Sequence, residues 1–423
     1  MAIFSSHDQF RKYRYVAKNI RVLIPGLDDI VIDNNRLNEL YIEDNYEENY
    51  FPLIKITLVL NSEVYYNILS HKNDCKFFLK INKYYIKNDD EQDVSIEKLF
   101  LNDTFDLIMD ENTDDMLNSL KEKINSSDYK RRKSEGAILD ETDNNRLSFY
   151  LFKSSIAGTK TNVNKVLSNV NVSDAVAYLM TVAKIKNVLM AQPDNTKKYD
   201  EFLIPPLSVL KALAFIDTYY GLYKTGSIIY FGIDYTYIIP YNGKCDVSAK
   251  REVTQTNIVV PKSSNTDYAD KMGSINKYKD ESNYIIADYK TISIKNASIS
   301  NNYINANSIQ VIDSYDESST TNRSTAKTKN DDFVKIFENK TENSFIGEMY
   351  AAQSNAKSDI VSLRLQDYDI SMITPNKQFK VIFEDSVYRK KYSGNYILAG
   401  LSHSFISSGA ELLLNSTVIL RKV

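Results

Sequence analysis

Tryptophan is missing from this 423-residue chain, and cysteine and histidine are scarce. The two cysteines, Cys75 and Cys245, cannot build a disulfide framework, and no CxxC spacing offers a thiolate metal site. The three histidines, His7, His71 and His403, lie far apart with no HExxH or HxH, which argues against a histidine-built zinc centre. GxGxxG, GxxxxGK[ST] and GxSxG are absent too, so no phosphate-cradling loop or nucleophile elbow is legible. No apolar run approaches the ~20 residues that span a bilayer. The longest, Ala175 to Ala183, is broken by Thr181 and stops at Lys184. Residues Met1 to Lys12 lack a basic start followed by an apolar run, which argues against a secretory leader. Positive charge is not in excess either. The net charge is −3 and the pI about 5.8, unlike a dedicated nucleic-acid binder with its basic stripe.

What is present is ordinary in bulk and biased in detail. Hydrophobic residues make up 43% and charged residues 25%, as in soluble globular proteins, and the length calls for two to four domains. Tyrosine occurs 31 times. Its apolar ring and polar tip suit surfaces where subunits meet. Paired carboxylates recur at Asp28-Asp29, Glu47-Glu48, Asp114-Asp115 and Asp331-Asp332. A glycosidase draws on such groups, but these sit in polar, turn-like contexts and are expected to be solvated. Asp367-Tyr-Asp369 starts like a calcium loop and lacks its later glycine and glutamate. A Ser/His/Asp triad through His403 stays open on sequence alone, because triad partners are set by the fold. No catalytic, cofactor-binding or metal residue is assigned.

Most of the chain reads as short strands. Ile20 to Ile24 precedes a Pro25-Gly26 turn, Leu53 to Leu60 alternates as one long strand, and Lys76 to Ile86, Thr104 to Asp110 and Leu147 to Phe152 continue the pattern. Short helices are expected over 64–70 and 114–124. Residues 126–145, with the basic run Lys130 to Lys133, read as a solvated loop. The middle is helical. Ser173 is the expected N-cap of a helix carrying Val172, Val176, Leu179, Met180 and Ala183 and fading at Met190. A second helix follows Pro205-Pro206, with Ser208 near its start, Leu207, Leu210, Leu213, Ala214 and Phe215 as its core side and Gly221 as its stop. Ile216 to Tyr223 reads as packing rather than a ligand-lined stripe. Ser227 to Gly232 and Tyr235 to Pro240 form a hairpin, and Val253 to Val260 reads as a strand. Residues 262–332 turn Ser/Asn/Asp/Lys-rich, and Asp316 to Asp332 is expected to be flexible.

The last third carries the most specific pattern. Leu363-Arg-Leu365, Thr374-Pro375, Gly394-Asn-Tyr396, His403 and the run Glu411 to Val423 spell strand, turn, strand and closing hairpin. Leu412 with Leu414, and Val418 with Leu420, are expected to share buried faces, with a bulge at Asn415-Ser416 and His403 where its strand meets the turn. This order resembles the trimeric baseplate hub of contractile phage tails and related injection systems, including the base of VgrG-like spikes and tailocin hubs.

The resemblance implies a mainly β fold with a helical middle (α+β). It implies an arm over 1–12, a tube-like barrel over 13–165 and a two-helix linker over 166–225. A second tube-like barrel is expected over 226–261 and 333–423, with a polar insertion at 262–332. It further implies a non-enzymatic homotrimer in the virion, made in the host bacterial cytoplasm and using no cofactor. The implied partners are the tail tube protein, the central spike or cell-puncturing protein, baseplate wedge proteins, and the tape-measure protein or DNA in the lumen. The alternatives from other classes are a tail-associated cell-wall hydrolase and a glycan-binding receptor-recognition protein.

Overall fold

Alternation of apolar residues at a period of two builds the first half of the fold. Its strands are β1 (Tyr13–Leu23), β2 (Ile30–Ile32), β3 (Leu37–Asn45), β4 (Leu53–Leu60), β5 (Lys76–Asp89), β6 (Gln92–Ile108) and β7 (Asn145–Lys153). In β4 the residues Ile54, Ile56, Leu58 and Leu60 point inward and are buried. Helix α1 (Ser62–Ser70) is capped by Asn61, whose side chain accepts from the Val64 N–H. Helices α2 (Thr113–Asn125) and α3 (Ser127–Ser134) follow. The computed structural model describes residues 13–89, 92–109, 113–135, 144–241, 256–261, 284–295, 309–312, 334–337, 359–365, 368–408 and 411–423. The expected arm, the stretch Asp316 to Asp332, His7 and Cys245 lie outside these described residues.

The middle comprises β8 (Asn162–Val170), α4 (Val172–Val182), β9 (Val188–Met190), β10 (Tyr199–Ser208), α5 (Val209–Tyr219), β11 (Ser227–Phe231) and β12 (Thr236–Pro240). Then come β13 (Thr256–Val260), β14 (Tyr284–Lys295), β15 (Ile309–Ile312), β16 (Val334–Phe337), β17 (Ile360–Leu365) and β18 (Gln378–Phe383). Helix α6 (Ser386–Tyr392) precedes the long closing hairpin of β19 (Gly394–Ser408) and β20 (Glu411–Lys422).

Thirteen strands join in one sheet, in the order β18-β13-β14-β17-β20-β19-β3-β4-β7-β6-β5-β1-β2. A bridge between Tyr15 and Leu412 pairs β1 with β20 and closes β1, β5, β6, β7, β4, β3, β19 and β20 into an eight-strand barrel. Residues 13–165 supply six of these strands, and the far end of the chain supplies β19 and β20. Tyr15, Phe77, Phe105, Phe149 and Phe405 fill the barrel and are fully buried. The other half of the same hairpin pairs elsewhere: β18 joins β19, and β17 joins β20. Through β13 and β14 these strands run in a circuit, β18-β13-β14-β17-β20-β19. β14 lies inside the stretch read as a polar insertion, yet it sits between β13 and β17 in the main sheet.

The barrel has its own core. A second core runs continuously from α4, α5 and the β8–β10 ribbon through β11 and β12 into β13, β17, β18 and the base of the hairpin.

Several local expectations change. Asn171, not Ser173, caps α4. Its side chain accepts from the Asp174 N–H while Asp174 accepts from the Asn171 N–H, so two orphan donors are satisfied reciprocally. That helix stops at Val182, because Lys184 takes φ of 58° and the chain turns into β9 well before Met190. Helix α5 does start after Ser208 and stop at Gly221, which has φ of 72°. Its fully buried face is Val209, Ala212, Leu213 and Ile216, turned to the β8–β10 ribbon; of the other expected core residues, Leu207 and Leu210 pack against that core partly buried, and Ala214 and Phe215 are half-buried. Residues 127–134, read as loop, are helical, with Ser126 accepting from the Tyr129 N–H as the cap.

The expected bulge at Asn415-Ser416 is absent. Pairing of β19 with β20 is continuous from Gly400↔Ile419 to Ser408↔Glu411, and the irregularity falls at Ala399 on the other strand. Leu412, Ser416, Val418 and Leu420 are buried along one face of β20, with Leu414 partly so. Space is tight just after the bulge. A Cβ on Gly400 would approach the Asp44 carbonyl oxygen to 3.1 Å.

Candidate functional site

The place where the two cores meet is the most built polar site among the described residues. Strand β3 ends at Asp44-Asn45, and the turn that follows, Tyr46-Glu-Glu, carries Tyr46 out of the barrel into the second core. The Tyr230 hydroxyl on β11 donates to Asp44 Oδ1 at 2.6 Å. The Tyr46 ring meets the Tyr230 ring edge-on at 4.6 Å. The Phe231 N–H donates to the Tyr50 carbonyl at 2.8 Å, and Phe51 stacks on Phe231 at 5.2 Å. The Tyr46 N–H donates to the carbonyl of Ala399, so the hairpin bulge and this turn are tied to each other.

Beside it Arg421, at the end of β20, forms an ion pair with Glu47. The Arg421 guanidinium lies 3.8 Å from the centre of the Tyr241 ring, and the Tyr241 hydroxyl donates to Glu47. Glu47 was expected to be solvated. As a residue it remains exposed, although its side chain, 22% exposed, is partly shielded by Arg421 and Tyr241. Two further ion pairs fasten the barrel, one to the segment before β18 and one between β6 and β7. Lys83 on β5 pairs with Asp369 at 2.5 Å, and Lys153 on β7 pairs with Asp103 at 2.9 Å and donates to the Ile233 carbonyl.

Burial sets the ionisation of the joint. It pushes the Asp44 carboxyl up to about 7 against the hydrogen bonds from Tyr230 and Tyr46, and the charges of Asp234 and Glu43 push the same way. Tyr46, Tyr230 and Tyr237 are driven upward, chiefly by burial, and stay protonated donors. Burial lowers Arg421 to about 10. Asp369 is also buried, but the hydrogen bonds from Lys83 and Ser371 outweigh that and hold its carboxyl low.

His403 is not at a turn. It sits in mid-strand, buried, with Nδ1 2.8 Å from Ser416 Oγ, and burial depresses its pKa to about 3. The pair has the composition of a nucleophile and its base. Both members are closed into the sheet at 4% and 1% exposure, beyond reach of a substrate carbonyl. Asp369, the second aspartate of the calcium-like start, instead caps the short 3-10 turn Ile370–Met372. Among the described residues no group of three or more His, Cys, Asp or Glu is gathered to hold a metal ion. No helix of the described residues is long and apolar enough to cross a membrane.

Sequence reasoning singled out His403, named Glu47 only as one of several solvated carboxylate pairs, and missed Asp44 and Arg421. Their signal was weak. An acidic strand end and a terminal basic residue look like surface until the hairpin covers them.

A family model described as "Bacteriophage PBS1 gene 109 protein" matches residues 14–423. No curated protein matches the chain. Among solved structures, the tail protein from Neisseria meningitidis MC58 is 10% identical, with a TM-score of 0.48 over 97% of this chain and 97% of that one. The 43 kDa tail protein of prophage MuSo2 from Shewanella oneidensis is 8% identical, with a TM-score of 0.49 over 96% and 97%. A chain of the Francisella PdpA-VgrG complex is 10% identical, with a TM-score of 0.49 over 97% of this chain and 58% of that one. These scores describe a loose likeness that carries no argument by itself.

Proposed function

The chain belongs to the Bacteriophage PBS1 gene 109 protein family, and from that membership we propose that it is a structural hub of a phage tail baseplate. In this reading it is a homotrimeric adaptor between a six-fold tail tube and a three-fold central spike, and it lines part of the channel for DNA or the tape-measure protein. Baseplate wedge proteins contact its outside.

The observation that carries the reading is the shared hairpin. One β19–β20 unit is wall to the closed eight-strand barrel at its tip and to the β18-β13-β14-β17 circuit at its base. Each subunit then offers two barrel-like units fused side by side, and three subunits offer six. Fusion through continuous strands fixes the spacing of the two units, which an adaptor between symmetries requires. A flexible linker would not fix it. The helical middle braces that pair, because its core continues into the second unit. The mildly acidic net charge suits a channel that must not hold DNA. The sealed His403–Ser416 pair favours a structural over a hydrolytic role.

The test is mass and symmetry. Light scattering coupled to size exclusion, alone or with the spike, should give about three times 48.5 kDa, and averaged electron micrographs should show a ring with six lobes. A stable monomer both alone and in the assembled particle would sink the reading. So would clearing of purified cell walls by the protein.

A further inference from the structure

The two most exposed large apolar side chains among the described residues are Val387, at 76%, and Val31, at 70%. They sit in surroundings of opposite charge. On α6, Val387 shares a helix face with Lys390 and Lys391, three and four residues on. Lys422 joins this face and donates to the Lys391 carbonyl at 2.6 Å, with exposed Val423 beside it. Lys390 makes no ion pair among the described residues, and Lys391 lies over the Tyr392 ring at 5.0 Å. Asp385 is engaged in capping α6 through the Val387 and Tyr388 N–H groups.

The basic run on α3 behaves differently. There Arg131 pairs with Asp128 and Glu135, and Lys133 with Glu63. Two of the four basic residues of that run are thus paired within the chain, whereas on the α6 face Lys390 has no ion pair among the described residues and Lys391 feels only the more distant charge of Asp359.

At the other site, the β1–β2 turn, β2 and the residue after it expose Leu27, Asp28, Asp29, Val31 and Asp33. Arg21 neutralises part of this surface through Asp29 at 3.6 Å, leaving Asp28 and Asp33 without an ion pair among the described residues.

We propose that the occupant of the α6 face is the Leu27–Asp33 surface of a second copy of this chain. The contact is head to tail: valine meets an apolar neighbour, and Lys390 and Lys391 meet Asp28 and Asp33. Two different, complementary surfaces on one chain make a heterologous interface, which closes into a ring or grows into a filament. This rests on the hub reading for the ring and goes beyond it by naming the two surfaces. A protein partner fits better than a nucleic acid, because an aliphatic side chain at the centre of the cations gains nothing from a phosphate backbone.

The experiment uses full-length protein in sedimentation velocity across a concentration series. Lys390→Glu with Lys391→Glu should weaken self-association by about tenfold or more, as should Asp28→Lys with Asp33→Lys. The chain carrying all four changes should recover to within about threefold of wild type, because every contact is again between opposite charges. All four positions are exposed, and circular dichroism should find the variants folded alike. Raising salt from about 0.1 M to about 0.5 M should weaken wild type more than either reversal variant.

Unchanged association in the Lys390/Lys391 variant, or no recovery in the four-fold variant, overturns the assignment of surfaces. If wild type still forms the three-fold mass in that case, the hub reading survives it. A wild type that is monomeric at every concentration and in the particle overturns both.

Discussion

The substitution Asp44→Asn tests whether burial at the joint governs its charge. In the folded protein the Asp44 proton is held up to about pH 7, because burial penalises the carboxylate. In the unfolded chain it leaves near pH ~3.9. Between those values the folded state binds more protons, so stability falls as pH rises. At about 1.4 kcal/mol per pKa unit, the charge costs roughly 4 kcal/mol at pH 8 and roughly 1.5 kcal/mol at pH 5 if the whole shift is realised.

The introduced amide carries no charge at either pH. Its carbonyl oxygen still accepts from Tyr230, and its amino group can donate to the Tyr46 hydroxyl. The variant should therefore gain on wild type by about 2.5 kcal/mol between pH 5 and pH 8, whatever its offset at pH 5. For a chain of this length, that gain is about 3 °C in Tm. His403 titrates identically in both proteins and cancels in the difference. Thermal melts followed by circular dichroism at the two pH values suffice. A Tm difference between variant and wild type that is the same at pH 5 and pH 8 would refute the reasoning, and Asp44 would then be ionised at no cost.

Gly158→Ala should destabilise strongly, by about 2–4 kcal/mol in urea unfolding, because the new Cβ would meet the Ala183 carbonyl oxygen where α4 ends. Melting within a degree of wild type would mean that this contact relaxes freely. Arg421→Met removes the ion pair of Glu47, which keeps the Tyr241 hydroxyl as a donor and part of its exposure to water, and should cost about 1–3 kcal/mol, with part of that recovered by adding Glu47→Gln. Strictly additive losses in the double variant would count against the ion pair. His403→Gln should leave assembly intact and cost about 1–2 kcal/mol at pH 8 by disturbing the Ser416 contact. Because burial depresses the folded histidine while the unfolded one takes its proton below pH ~6.5, wild type loses stability as pH falls through that value and the glutamine variant does not. The gap should narrow by about 2 kcal/mol at pH 5, and a gap that widens on acidification would contradict a buried neutral imidazole.

The sequence by itself determined the local grammar. Leu53 to Leu60 is a strand because its alternation matches the pleat, and Gly221 stops α5 because only glycine takes that left-handed turn cheaply. Ser227 to Pro240 is a hairpin because two β-rich runs flank a short Asp-containing turn. These signals lie within one element or its cap, so a short window contains them. Strand β3 escaped notice because Glu39, Glu43 and Asp44 dilute its apolar alternation, and Pro205-Pro206 disguised the end of β10.

Only the tertiary structure decided what joins what. That Leu412 closes a barrel onto Tyr15, nearly four hundred residues away, depends on which edges remain unpaired once all other strands are placed. The same holds for Asp44, Glu47, Ser416 and Arg421. Each is an ordinary polar residue in the sequence, and its charge and hydrogen bonds are fixed by the protein that covers it. Burial is a property of the whole assembled chain, and it sets both the pKa of Asp44 and the closed state of His403.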